Sequence, residues 1–225
     1  MRVAYLHGFA SSAQSSKART FAERLAQYAI AVQTPDFNQP SFETLTITRM
    51  IEQTMVTIGG SEGGSGESVV LIGSSLGAFV AVHAAAQART PGRTRQLVGR
   101  MILLAPALDF ASSRMRELGE DAIEQWRQTG RLDVFHYGYG RIMPVGYALY
   151  EDAAQYDASA LDLPMPILIF QGTRDTVVDA DVARRFARGK ANIALRLLDD
   201  DHQLLASMPA IWDESREFLG LPPRG

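Results

Sequence analysis

Residues 69–86, VVLIGSSLGAFVAVHAAA, run four apolar residues into a glycine-serine cluster and continue at once into a small-residue segment of helical character. Such a cluster ordinarily marks a turn. Set between two segments that both look buried, this one has to be tight and tucked against a core. The same unit, a short apolar run leading into a helical segment, recurs along the chain. Val3 to Leu6, Ile30 to Gln33, Val69 to Ile72, Met101 to Ala105, Ile167 to Phe170 and Ile193 to Leu198 read as strands, apolar enough to be covered on both faces. Helices are expected at 15–29, 42–58, 76–90, 179–189 and 203–219. This alternation predicts a mainly parallel six-stranded sheet with right-handed crossovers and helices on both faces, an α/β architecture.

Two segments break the rhythm. GGSEGGSGES, residues 59–68, is a polar connector expected to loop over the surface. The interval 109–160 is far longer than one crossover needs, and SSRMRELGEDAIEQWRQTG and VGYALYEDAAQY within it suggest extra helices. We therefore expect one domain over 1–225 with a helical lid or cap insertion at about 109–160. With 46% apolar and 21% charged residues in 225, the chain can bury a core of that size.

Composition also removes whole classes of function. A net charge of −3 without a clustered basic stripe argues against a nucleic-acid partner. The absence of cysteine excludes a disulfide framework and thiolate metal sites and fits a reducing compartment. MRVAYLHGF is too short an apolar stretch for a signal-peptide core, and no apolar run reaches membrane-spanning length. The expectation is a cytoplasmic protein with no membrane association.

Gly73-Ser74-Ser75-Leu76-Gly77 is a G-x-S-x-G pattern that follows an expected strand and opens an expected helix. There the flanking glycines leave room for a sharp turn that lifts Ser75 off the carboxyl end of the strand, beside a helix N-terminus that favours developing negative charge. Chance produces the pentapeptide in roughly one chain in ten of this composition, so its context has to carry the argument. A serine hydroxyl needs a base and a group that orients the base.

Of the four histidines, His202 in LLDDDHQLL follows the last expected strand, where a carboxyl-edge loop could bring its ring over Ser75. His7 ends the first strand, His83 lies in the helix after the turn, and His136, in the insertion, is the rival base. For the carboxylate, Asp175 in ILIFQGTRDTVV lies just beyond the fifth strand, on the same edge. Asp179 reads as a helix N-cap, Asp199 to Asp201 are close to His202 in sequence, and Asp109 is the fallback.

Ser75, Asp175 and His202 stand in the chain order of α/β-hydrolases. With YLHGFASSAQSSKA at residues 5–18 and GSSLGA at the elbow, the chain resembles small bacterial esterases of the YqiA type. The resemblance implies the α/β-hydrolase fold and an oxyanion hole made by the backbone N–H groups of Phe9 and Leu76, with His7 shaping the loop. The chain departs from the longer His-Gly-Gly-Gly signature of many lipases, and it carries Ala13 where the family pattern has proline.

These parts predict a serine hydrolase that cleaves a small carboxylic ester through an acyl-enzyme. No metal or organic cofactor is expected, and the partner is a small-molecule ester or other acyl substrate. Thioesterase or aminopeptidase-like amidase chemistry, or a noncatalytic ligand-binding module, are the alternatives on the same scaffold. Trp126, Phe135, Tyr137 and Tyr147, with Tyr139 and Tyr150, crowd the insertion and could line an acyl pocket, and Gly138, Gly140 and Gly146 could make it a mobile lid.

Overall fold

The computed structural model describes residues 1–59, 68–89, 97–110 and 118–223. Six parallel strands form one sheet in the order β2-β1-β3-β4-β7-β8. They are β1 (Arg2–Leu6), β2 (Val32–Gln33), β3 (Val69–Ser74), β4 (Val98–Leu104), β7 (Ile167–Gly172) and β8 (Ile193–Leu198), while β5 (Arg131–His136) and β6 (Arg141–Gly146) pair separately as an antiparallel hairpin. The helices are α1 (Ser16–Ala26), α2 (Ile47–Gly59), α3 (Leu76–Gln87), α4 (Glu120–Thr129), α5 (Ala148–Ala153), α6 (Ala180–Ala187) and α7 (Met208–Phe218).

The strands are continuous in hydrophobicity because each feeds two cores at once. Val3, Tyr5, Val70, Ile72, Ile102, Leu104, Leu168 and Phe170 pack with Phe21 and Leu25 of α1 and Ile211 and Trp212 of α7. Their alternates Ala4, Leu6, Val69, Leu71, Met101, Leu103, Ile167 and Ile169 pack with α2, α3 and α6 on the other face. Successive side chains in a strand point to opposite faces, so one apolar run supplies both layers.

The strand order reverses direction between β1 and β3. The chain leaves β1 for the edge strand β2 and returns to place β3 on the other side of β1. With α1 on one face and α2 on the other, the loops leaving the carboxyl ends of β1 and β3 part, and a crevice opens there.

α3 starts in this crevice and is buried continuously from Leu76 to Ala85. Its alanines let it lie close to the sheet. Closest of all is its first turn. A Cβ on Gly77 would overlap the Leu6 carbonyl and stand 2.7 Å from the His7 oxygen, and one on Gly73 would stand 2.7 Å from the Gly77 oxygen. Both glycines serve this backbone-to-backbone approach. The unusual backbone belongs to Ser75 itself, at φ 53° and ψ −117°, a sparsely populated region that costs about 1–3 kcal/mol.

Several elements are shorter than the periodicity predicts. α1 ends at Ala26, and Ala29, at φ 58°, turns the chain into β2. α2 begins at Ile47 because Asp152 supplies its first turn with an acceptor, 2.7 Å from the Thr48 N–H; Phe42 and Leu45 are buried in the turn before it. α7 begins at Met208, since residues 203–207 form a turn in which Leu204 has φ 55° and the Ser207 N–H donates to Asp200 Oδ2 at 2.8 Å.

The insertion is not purely helical, which corrects the expectation for 109–160. Besides α4 and α5 it contains the β5–β6 hairpin. Val134 and Phe135 are strand-forming residues, and β5 alternates between more and less exposed positions before Tyr137-Gly138-Tyr139-Gly140 turns the chain. Most of the connector at 59–68, and the start of the first expected helix in the insertion, lie outside the described residues. No helix among the described residues is long and apolar enough to cross a membrane.

Gly77→Ala should destabilise the fold by about 3 kcal/mol through backbone overpacking, a loss that urea denaturation followed by circular dichroism would read as a lowered midpoint.

Candidate active site

Ser75 is positioned by its backbone. Its N–H donates to the Leu104 carbonyl at 2.9 Å, and its own carbonyl accepts from Ala78 at 3.0 Å and Ala107 at 3.2 Å. The residue is thereby tied to the end of β4 and the first turn of α3, which leaves its side chain above the sheet edge.

Asp175 sits in the turn after β7 with its side chain fully buried. Oδ1 accepts from the Val177 and Val178 N–H groups at 2.8 and 2.9 Å. Oδ2 receives the Gln171 Nε2–H at 2.9 Å and lies 2.8 Å from His202 Nδ1. Burial alone would raise this carboxyl, but the hydrogen bonds from His202, Val178 and Val177 outweigh it and hold it below the ordinary carboxylate range.

An ionised carboxylate can only accept, so His202 Nδ1 carries the proton that it shares with Asp175. In the neutral ring Nε2 then keeps its lone pair, 3.1 Å from Ser75 Oγ. Three side chains from the ends of β3, β7 and β8 thus form one hydrogen-bonded chain. Asp179 caps α6 through the Asp181 N–H at 2.9 Å, and Asp199 pairs with Arg174. Asp200 and Asp201 accept from backbone N–H groups of their own turn.

The His7-Gly8-Phe9 loop lies against the elbow. A Cβ on Gly8 would stand 3.2 Å from the Ser75 Cβ and 3.9 Å from its Oγ, so glycine permits the approach. His7 braces the loop, donating from Nδ1 to the Gly8 carbonyl at 2.9 Å and accepting the Phe37 N–H on Nε2 at 3.0 Å. Among the described residues, no protein acceptor takes the Phe9 or Leu76 N–H.

Asn38 and His136 secure the next residues. Asn38 Nδ2 donates to the Ser11 carbonyl at 2.9 Å, and its Oδ1 accepts from His136 Nε2 at 3.0 Å. His136 Nδ1 accepts from the Tyr139 N–H at 3.2 Å, so both ring nitrogens of the rival base are occupied by structure. Burial keeps this imidazole low. His83 packs its ring 4.5 Å from Phe79 and 5.1 Å from Tyr156, and burial pulls it down to about 4.

Of the aromatics expected at a pocket, Trp126 occupies a packing position. It is 3% exposed and donates its indole N–H to the Val145 carbonyl at 3.0 Å. Tyr147 is partly buried and stacks on Tyr150. Phe135 and Tyr137 are 50% and 79% exposed on the hairpin, edge to face at 5.2 Å. The hairpin turn reaches the loop that follows His7-Gly8-Phe9, where the Gly138 N–H donates to the Ala10 carbonyl at 3.3 Å.

Gln171, Asn38 and Lys17, which the sequence reading did not anticipate, contact Asp175, the Ser11 carbonyl and the His202 carbonyl. Gln171 had a readable signal, a polar side chain closing a buried strand four residues before the chosen aspartate. Asn38 reaches the Ser11 carbonyl from a segment outside the quoted motifs, and Lys17, within YLHGFASSAQSSKA, reaches the His202 carbonyl across 185 residues. Among the described residues, no group of three His, Asp or Glu side chains could hold a metal ion.

His83 and His136 are neutral in the folded protein and take up protons on unfolding, so stability is complete above the ordinary histidine range and falls as pH drops toward 4. His83 alone accounts for about 3 kcal/mol of that loss. Urea midpoints measured between pH 7 and 4 should decline, and His83→Leu should flatten the slope.

Solved structures share this arrangement of elements. A protein from Agrobacterium vitis S4 superposes with a TM-score of 0.81 at 24% identity, over 97% of this chain and 86% of its own. Alpha/beta hydrolase domain-containing protein 10 from mouse gives 0.78 at 17% identity, over 97% and 89%. Est1E from Butyrivibrio proteoclasticus, with ferulic acid bound, gives 0.78 at 17% identity, over 97% and 88%. These likenesses show the α/β-hydrolase fold. No curated protein matches the sequence. Residues 2–215 match the Uncharacterised protein family UPF0227, and the chain belongs to that family.

Proposed function

We propose that the protein is a serine hydrolase that cleaves a small carboxylic ester, with Ser75 as nucleophile, His202 as base and Asp175 as the group that orients and charges the base. The single observation behind this reading is the continuous chain of contacts from Asp175 Oδ2 through both nitrogens of His202 to Ser75 Oγ. With Nδ1 donating to Asp175, the neutral ring can accept the Ser75 hydroxyl proton on Nε2, which supports the reading.

In this mechanism His202 Nε2 takes the Ser75 proton as Oγ attacks the substrate carbonyl. The negative charge that develops on the carbonyl oxygen faces the Phe9 and Leu76 N–H groups, each such donor being worth about 2.7–4 kcal/mol in the transition state. The imidazolium, steadied by Asp175, passes its proton to the leaving alcohol. Water then attacks the acyl group on Ser75 along the same route, with His202 again as base. The substrate's acyl side would meet Phe9, which packs with Phe42 and Phe110 at 5.5 and 6.4 Å. From the insertion it would meet the hairpin bearing Phe135 and Tyr137, with Tyr147 behind; Trp126 supports that segment from within.

A panel of p-nitrophenyl esters, acyl-CoAs and aminoacyl amides tests the reading. Short-chain esters should turn over, and Ser75→Ala should keep the fold by circular dichroism while losing both turnover and fluorophosphonate labelling. Turnover retained by a folded Ser75→Ala protein would refute it.

Asp175→Asn should lower kcat by roughly 10³–10⁴-fold, since an amide in place of the carboxylate favours the wrong imidazole tautomer. Initial rates with the best ester would measure the loss.

A further inference from the structure

Lys17 stands out among the charged side chains of the fold because it is buried. It is 8% exposed, on the first turn of α1, between Ser15, which caps the helix, and Ala18 and Phe21, which enter the core. Lysine is rarely buried to this extent without a specific partner. Its Nζ donates to the backbone carbonyl of His202 at 3.3 Å, across 185 residues of sequence.

The charges around it come from two loops. Asp175 lies in the turn after β7, and Asp200 and Asp201 precede His202 after β8. All three have other partners: Asp175 holds His202 and Gln171, Asp200 accepts from the Asp201 and Ser207 N–H groups, and Asp201 accepts from the Gln203 N–H. The ammonium is therefore directed at the carbonyl, with carboxylates around it that keep it charged. Burial pulls Lys17 down to about 8, against the upward pull of Asp175, Asp201 and Asp200, so it carries its charge at neutral pH.

We propose that Lys17 is a positioning residue for the base. It grips the His202 backbone so that the ring spans Asp175 and Ser75, and its positive charge opposes protonation of the ring. The inference rests on the triad reading above. The turn at 199–204 needs such an anchor, since it must carry an imidazole to within hydrogen-bond reach on both sides at once while Leu204 takes a left-handed backbone. A displacement of about 1 Å in such a group lowers rate by roughly 10²-fold.

Lys17→Met and Lys17→Arg test the idea with two readouts, the rate of fluorophosphonate labelling of Ser75 and the midpoint of the His202 ring titration followed by NMR. Lys17→Met should be labelled about tenfold or more slowly at neutral pH, and its ring midpoint should lie at higher pH than the parent's, as loss of a nearby cation requires. Lys17→Arg should bring the midpoint back toward the parent's. Lys17→Gln, which keeps a donor without charge, takes the place of Lys17→Met if that variant does not fold. Labelling at the parent rate, or slowed labelling with an unmoved midpoint, would reduce Lys17 to a packing role and overturn the proposal. The midpoint is read without substrate, so a parent protein that hydrolyses no ester would remove the esterase reading and leave this test standing.

Discussion

Where α3 meets the end of β1, backbone touches backbone with no side chain between them, and the rest of the site is arranged around that contact. Gly73 and Gly77 let the helix start so close that Ser75 is forced into a left-handed backbone, stranded above the crevice between β1 and β3. The strain is tolerated because it is over-determined. Ser75 is hydrogen-bonded to Leu104, Ala78 and Ala107, and α3 is buried through its first ten residues, so no relaxed alternative is available to this turn without unpacking the helix.

The same crevice explains why so many polar groups converge without leaving buried charge unpaired. The Asp175 side chain is fully buried, yet its two oxygens receive four donors, one of them the His202 ring, which needs no permanent charge to donate. On the other side of the elbow, His7, Asn38 and His136 spend polar atoms on the backbone of Gly8, Ser11, Phe37 and Tyr139, and Asn38 and His136 on each other. Three of the four histidines are thus part of the frame. Only His202 keeps a ring nitrogen directed at a hydroxyl.

Much of the fold was legible because its signals are local. Continuous apolar runs identified all six strands of the main sheet, and turn residues fixed where most helices begin. The misreadings are local signals overruled from a distance. Residues 42–46 have helical spacing, but Asp152 from the insertion sets the start of α2 at Ile47. Residues 203–207 are claimed by the Asp200 side chain before α7 can include them. The hairpin at 131–146 carries a weak alternation that the neighbouring helical segments obscured, and among the described residues its strands pair with each other alone.

By itself the sequence determined the succession of main-sheet strands and the helices between them, the elbow around Ser75, and a Ser-Asp-His succession at strand ends, because periodicity, glycine placement and chain order are properties of near neighbours. Tertiary structure alone decided that Asp175 meets His202 across 27 residues and His202 meets Ser75 across 127. It also decided that Gln171, Asn38 and Lys17 complete the arrangement and that Trp126 packs rather than faces the crevice. Those choices depend on where whole elements come to rest, to within a fraction of a hydrogen bond's length. Distances of that kind arise from the packing of the two cores against one sheet and leave no trace in the spacing of residues along the chain.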